Sequence, residues 1–360
     1  MVLIGHGSYS FPEMLSPLLR FVGNASLGVG VFFVLSGFLI YNLSVRESKK
    51  TGGFDWKHFY VRRVLRIFPC FYLYIAVIVC LVCSGVLALS WPTILSASTF
   101  SLNYRHLWDH GAGSSDYFVI GHYWTLALEE QFYLTWPLLM FLFVKRRLFP
   151  VLMVFVALAP LIRLACYFFM PGSRGQLGMM FHTGFDSIAF GVLLGELLQW
   201  PDAKARLEGL AANRWVVGGT LGFLVFVAPI LPEYVSRIFG ERAGGAYSLG
   251  VAKSLQLLGL CLVIIASISF PRTVLFRVLN WPPLAYVGVL SYSLYVWNNL
   301  FFYTEKSWFV SSFPLNFICI MGMALVSHYL VERPFLKLKD RFHKTTVPLE
   351  SVGIKSSAQP

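Results

Sequence analysis

Residues 67–89 read IFPCFYLYIAVIVCLVCSGVLAL, twenty-three consecutive positions without a charged side chain. At 1.5 Å per residue, a helix of that length crosses the roughly 30 Å of bilayer hydrocarbon. Comparable runs recur at 28–44, 122–144, 149–170, 181–200, 215–232, 247–269, 279–303 and 311–331. The predicted fold is therefore all-α, a polytopic membrane helix bundle. Composition points the same way. Of 360 residues, 57% are hydrophobic and 13% charged, against about 25% charged in a soluble domain. Aromatic residues make up 17%, with 33 Phe, which suits lipid-facing helices and interfacial belts.

The segment 45–66, VRESKKTGGFDWKHFYVRRVLR, carries seven Lys/Arg. If it is cytoplasmic, strict alternation puts 21 of the 29 Lys/Arg on the cytoplasmic side and 6 opposite, with Arg163 and Lys253 inside spans. That bias follows the positive-inside rule and predicts a cytoplasmic C-terminus in a bacterial-type inner or plasma membrane. It also accounts for the net charge of +12, so no nucleic-acid partner is expected. The same alternation leaves residues 7–27 outside with only five residues before them, too few to cross. The expectation is nine full spans plus a partial N-terminal one, ten in the intact pattern, with MVLIG as the last turns of a truncated first helix. Residues 1–338 form one membrane domain, and 339–360 a cytoplasmic, disordered polar tail. All six cysteines, including the Cys80/Cys83 pair, fall in apolar runs and read as small buried hydrophobes, not as a metal or redox site.

Ionisable groups inside the membrane are costly and so mark function by default. HYWTLALEEQFY opens the span at 122 with His122, Thr125 and Glu129 spaced for one helical face, and Glu129 about 10 Å deep. Glu130, rotated by about 100°, needs a partner of its own. Two such glutamates face either a polar cavity or a structural ion pair with Arg163 or Lys253. Asp186 has His182 four residues earlier, a pair that is either catalytic or a lock between helices. Arg163 and Lys253 read as counter-ions. His6 precedes Gly7-Ser8 and is on spacing alone an ordinary satisfied histidine or a base. Gly28, Gly30 and Gly37 permit close helix approach, while Ser36 faces a pocket or bonds back to its own helix. Arg63 and Arg66 are spaced to meet on one face, either as a phosphate fork or as a positive-inside anchor.

Taken together, VLIGHG, GVGVFFVLSGFLI, FYVRRVLRIFPCFY, HYWTLALEEQFYLTWPLL, HTGFDSIAFGVLLG, LSYSLYVWNN and SHYLVERPFLKL occur in one order over residues 6–338. This ordered set resembles the acyltransferase-3 family of integral membrane O-acyltransferases, which includes O-antigen, peptidoglycan and macrolide acylases. The resemblance implies an enzyme that moves an acyl group, acetyl first of all, from acyl-CoA to a hydroxyl of a glycan, a lipid-linked saccharide or a small-molecule metabolite, as in cell-envelope polysaccharide O-acetylation. It implies His6 as general base, with Glu129 orienting or charge-stabilising it, and Arg63 and Arg66 on the CoA phosphates. Ser36, His122, Glu130, Arg163 and Asp186 remain substrate-pocket candidates. Acyl-CoA is a co-substrate; no bound cofactor and no metal are expected. The sequence departs from the family pattern at Gly184, where many members have Arg, and at Asn298, where they often have His. A basic residue eleven positions before His6 would fall upstream of Met1. The alternative readings are a transporter or flippase, and a catalytically inactive truncated homologue.

Overall fold

The computed structural model describes residues 1–11, 23–107, 115–143, 148–303 and 308–341. The basic cluster at 145–147 and the tail beyond 341 lie outside the described residues. The main helices are α1 (Val2–His6), α2 (Ala25–Thr51), α3 (Trp56–Cys83), α4 (Trp91–Ser98), α5 (Trp124–Phe143), α6 (Leu148–Phe169), α7 (Asp186–Leu197), α8 (Pro201–Ala212) and α9 (Arg214–Gly222). There follow α10 (Leu231–Phe239), α11 (Glu241–Tyr247), α12 (Lys253–Ser269), α13 (Pro282–Val289), α14 (Ser291–Phe301), α15 (Leu315–Ser327) and α16 (Arg333–Arg341). Among the described residues there is no strand, as the apolar periodicity predicts.

Among the described residues, five helices are long and apolar enough to cross a membrane: Ala25–Lys50, Trp56–Cys83, Leu148–Phe169, Glu241–Ser269 and Leu315–Leu338. Pro201–Ala212 and Arg214–Val227 together would make a sixth, bent by 74°. The protein is thus a multi-pass helical membrane protein. Run 122–144 forms one helix, α5, while two other runs fold as shorter pieces. Run 181–200 divides into Phe181–Gly184 and α7, and run 279–303 breaks at Leu290 between α13 and α14.

Local chemistry sets the ends. Asn24 caps α2 by accepting from the Leu27 amide at 2.9 Å, and Gly52 closes it at φ +76°, a left-handed conformation that a side chain would strain. Asp55 caps α3 through the His58 amide at 3.0 Å. This cap starts α3 eleven residues before the apolar run at 67, so Arg62, Arg63 and Arg66 are helical. Hydrogen bonds from His58 hold the Asp55 carboxyl below its ordinary value.

Glycines bring the central helices together. A Cβ on Gly37 of α2 would collide with the Ile188 carbonyl of α7, and one on Gly191 of α7 with the Val34 carbonyl of α2. Gly28 meets Val2 of α1 in the same way, at 2.8 Å, and Gly30 meets Leu260 of α12 at 3.1 Å. The three glycines of the 28–40 run thus serve three different neighbours. The cysteine reading needs correction: Cys70 is buried, but Cys80 and Cys83 are exposed on α3. An apolar run in a membrane protein faces lipid as readily as a core, so hydrophobicity alone does not imply burial.

Candidate active site

His6 is the last residue of α1, and its Nδ1 lies 2.8 Å from Oδ1 of Asn298 on α14. α1 is held there by small residues: Gly5 fits against the Gly23 carbonyl, and Gly7 against the rings of Phe302 and Phe317. Below α1, His6 borders a cavity of about 300 Å³. Its polar lining comes from Asn103, Arg105, His106, His122, Gln176 and Asn299, and its aromatic lining from Tyr117, Phe118 and Trp124. These residues belong to the loops before α5 and before α7 and to one end of α14.

His122 and His106 are the notable members. Both ring nitrogens of each are buried and make no well-formed hydrogen bond, the Val296 backbone being the polar group near the His122 ring, and Oδ1 of Asn299 is likewise unpartnered. Buried polar atoms are normally satisfied, and here three unsatisfied groups gather around one cavity. Burial, with Arg105 and His182 nearby, holds the His106 imidazole below its ordinary value. Arg105 is itself engaged, stacking on Tyr117 with its guanidinium carbon 3.8 Å from the ring centroid and bonding Thr93. Sequence reasoning missed His106, because a histidine in the segment 90–121, which also holds His110, carries no periodic signal.

The acidic pair lies deeper, and neither glutamate lines this cavity. Glu129 accepts from the Tyr133 hydroxyl, which in turn accepts from Arg63 Nη1 at 3.0 Å. Arg63 also stacks on the Tyr133 ring at 4.1 Å. Glu130 is buried, with Oε1 unpartnered and with Glu129 and Arg63 in electrostatic reach. The residue bonded to His6 is thus Asn298, and the group bonded to Glu129 is Tyr133. His122 lies just before α5, its carbonyl accepting from Thr125 and Tyr295.

Arg63 and Arg66 do not turn to one neighbour. Arg63 points inward to Tyr133, Arg66 is exposed, and Arg62 pairs with Glu47 at 2.6 Å. The counter-ion reading of Arg163 and Lys253 resolves onto Asp186 alone: Arg163 Nη1 lies 2.7 Å from Oδ2, and Lys253 Nζ 3.5 Å from Oδ1. Arg163 and Asp186 are fully buried and outside the cavity. Arg163 also donates to the Thr183 and Leu249 carbonyls, tying α6, α7 and the turn before α12 together. His182 does not pair with Asp186; its Nδ1 lies 2.9 Å from the Tyr104 hydroxyl. Ser36 is half-buried beside Gly37 in the α2–α7 seam.

A family profile described as an acyltransferase domain matches residues 1–333. The chain belongs to this acyltransferase family. The peptidoglycan O-acetyltransferase OatA of Listeria monocytogenes serovar 1/2a (strain ATCC BAA-679 / EGD-e) is 28% identical over 289 residues, covering 76% of this chain and 44% of that protein. The O-acetyltransferase OatA of Staphylococcus aureus (strain NCTC 8325 / PS 47) is 27% identical over 343 residues, covering 88% of this chain and 54% of that protein. The chain therefore spans about half the length of these curated relatives. No solved structure matches it.

Proposed function

We propose that this chain is the membrane acyl-transfer unit of an O-acetyltransferase, moving an acetyl group from acyl-CoA to a hydroxyl of a glycan or lipid-linked saccharide. The observation that carries the reading is His6: an imidazole anchored through Nδ1 at the wall of a polar cavity, in a chain of the acyltransferase family. In the proposed step, His6 Nε2 takes the proton of the acceptor hydroxyl as its oxygen bonds to the thioester carbonyl carbon. The carbon–sulfur bond then breaks, and the CoA thiolate leaves and recovers the proton from the imidazolium. No covalent enzyme intermediate is required. His122, His106 and Asn299 would hold the acceptor or the carbonyl oxygen, since their polar atoms are otherwise unsatisfied.

The acyl donor enters from the opposite side in this reading. Arg63 and Arg66, at the end of α3 that carries the positive-inside bias, meet the CoA phosphates. Arg63 also begins the chain Arg63–Tyr133–Glu129, with Glu130 beside it. Glu129 acts on the site through this chain and through its charge. Arg163 and Asp186 serve by fixing helices. The nine spans plus a partial first helix, the cytoplasmic C-terminus and the glycan acceptor belong to the same proposal.

The test uses membranes that contain the full chain, incubated with radiolabelled acetyl-CoA and a host lipid–glycan extract. Transfer of label by the wild type and its loss in His6→Ala, at equal protein in the membrane, is the expected result. Undiminished transfer by His6→Ala overturns the assignment of the base, and no transfer by the wild type overturns the donor or the acceptor class.

A further inference from the structure

Asn298 is 1% exposed, and its amide makes two contacts. Nδ2 donates to the backbone carbonyl of Tyr295, and Oδ1 faces His6 Nδ1 at 2.8 Å. A carbonyl oxygen only accepts, so the amide has one workable orientation. Reversed, it would set two acceptors against each other. With Oδ1 turned to His6, Nδ1 must carry the proton, because an oxygen without hydrogen cannot donate. One nitrogen of a neutral imidazole is protonated and the other holds the lone pair. From this geometry we infer that Asn298 is a positioning residue that locks His6 in its Nδ1–H tautomer and leaves the Nε2 lone pair for the acceptor hydroxyl.

The inference rests on the proposed role of His6. The choice of amide also has a chemical consequence. A carboxylate in that place would hold the same tautomer but would add a charge that favours the imidazolium, which makes the base harder to regenerate. A neutral amide orients the ring without that bias. Other groups near His6 are His122 from the segment before α5, Arg105 and His106 from the turn Leu102–Leu107, and Tyr117. No carboxylate lines the cavity among the described residues, so a charge introduced at 298 would be the nearest acidic group to the ring.

Three variants test this in the full chain: Asn298→Leu, Asn298→Asp and, as reference, His6→Ala. In Asn298→Leu, kcat should fall at least about tenfold with the acceptor KM little changed, because only a fraction of the rings present the lone pair correctly. In Asn298→Asp, activity should persist, with the acid limb of the kcat/KM profile moved up by about one pH unit or more. A readout independent of turnover is the ¹⁵N resonance of His6 in histidine-labelled protein. It should report a protonated Nδ1 in the wild type and a mixture of tautomers in Asn298→Leu. A wild-type kcat and an unmoved pH profile in both variants overturn the inference, as does a His6 Nδ1 resonance without its proton in the wild type. If His6→Ala retains full transfer while the resonance still shifts in Asn298→Leu, the tautomer lock stands and the base assignment is what fails.

Discussion

At the scale of single residues, the buried ion cluster and the unsatisfied histidines behave differently under perturbation. Asp186 is fully buried between Arg163 and Lys253. Arg163→Met leaves its charge with one partner at longer range, and breaking a buried pair costs about 3–5 kcal/mol. Denaturant titration in detergent should show that loss, whereas Arg237→Met, which breaks an exposed i,i+4 pair with Glu233, should not. His106 gives a pH-dependent counterpart. Its folded value lies below the ordinary 6.5, so the unfolded chain binds more protons in that interval. Its contribution is fully present above about pH 6.5 and is lost as pH falls through 6.5 toward the depressed value. Thermal unfolding of His106→Gln should depend less on pH across that window than unfolding of the wild type, and identical slopes would refute the assignment.

Among helices, the α2–α7 seam is the least forgiving. Gly37 and Gly191 each face a carbonyl of the opposing backbone, which cannot move aside as a side chain can. Gly191→Leu should therefore cost at least the roughly 1–3 kcal/mol typical of overpacking, read as reduced yield of folded protein. Gly172→Leu, whose site has open space, should be neutral. α5 has the opposite division of labour. Leu134, Leu138 and Phe141 are 67%, 58% and 82% exposed, while Glu129, Phe132, Trp136 and Met140 on its other side are buried. The sequence shows this helix as an apolar run interrupted by an acid pair. Glu129 finds its partner in Tyr133, four residues on in the same helix; the sequence does not show that Arg63, on another helix, then bonds Tyr133 from 70 residues away. His6 and Asn298 could be read as motif positions. Their contact depends on how α1 and α14 dock, which no one-dimensional period encodes.

For the molecule as a whole, the all-helical membrane architecture was legible from apolar run length, because the bilayer imposes that length on any spanning helix. The way runs 181–200 and 279–303 break was not. Short helices separated by turns remain apolar: the break at Leu290 carries no proline or charge to announce it, and at the Phe185 break the flanking Gly184 and Asp186 read as part of an apolar run rather than as its end. The charge bias predicts sidedness, and labelling can test it. In a chain with Cys80 and Cys83 replaced by Ala, Gly172→Cys should react with an impermeant maleimide on intact cells. Gly53→Cys should react only after permeabilisation; the reverse order would invert the topology.

The bond between His6 and Asn298 joins positions 292 residues apart, and Asn316 similarly reaches Ser10. Translation at about 5–20 residues per second separates their synthesis by roughly 15–60 s. During that interval the histidine has entered the membrane and has no amide to hold it. A nascent chain halted before α14 would insert most of its helices and still lack the wall that orients the ring. Competence would then be gained in one late docking step of biogenesis, so a pool of truncated products would remain catalytically silent however well they were inserted.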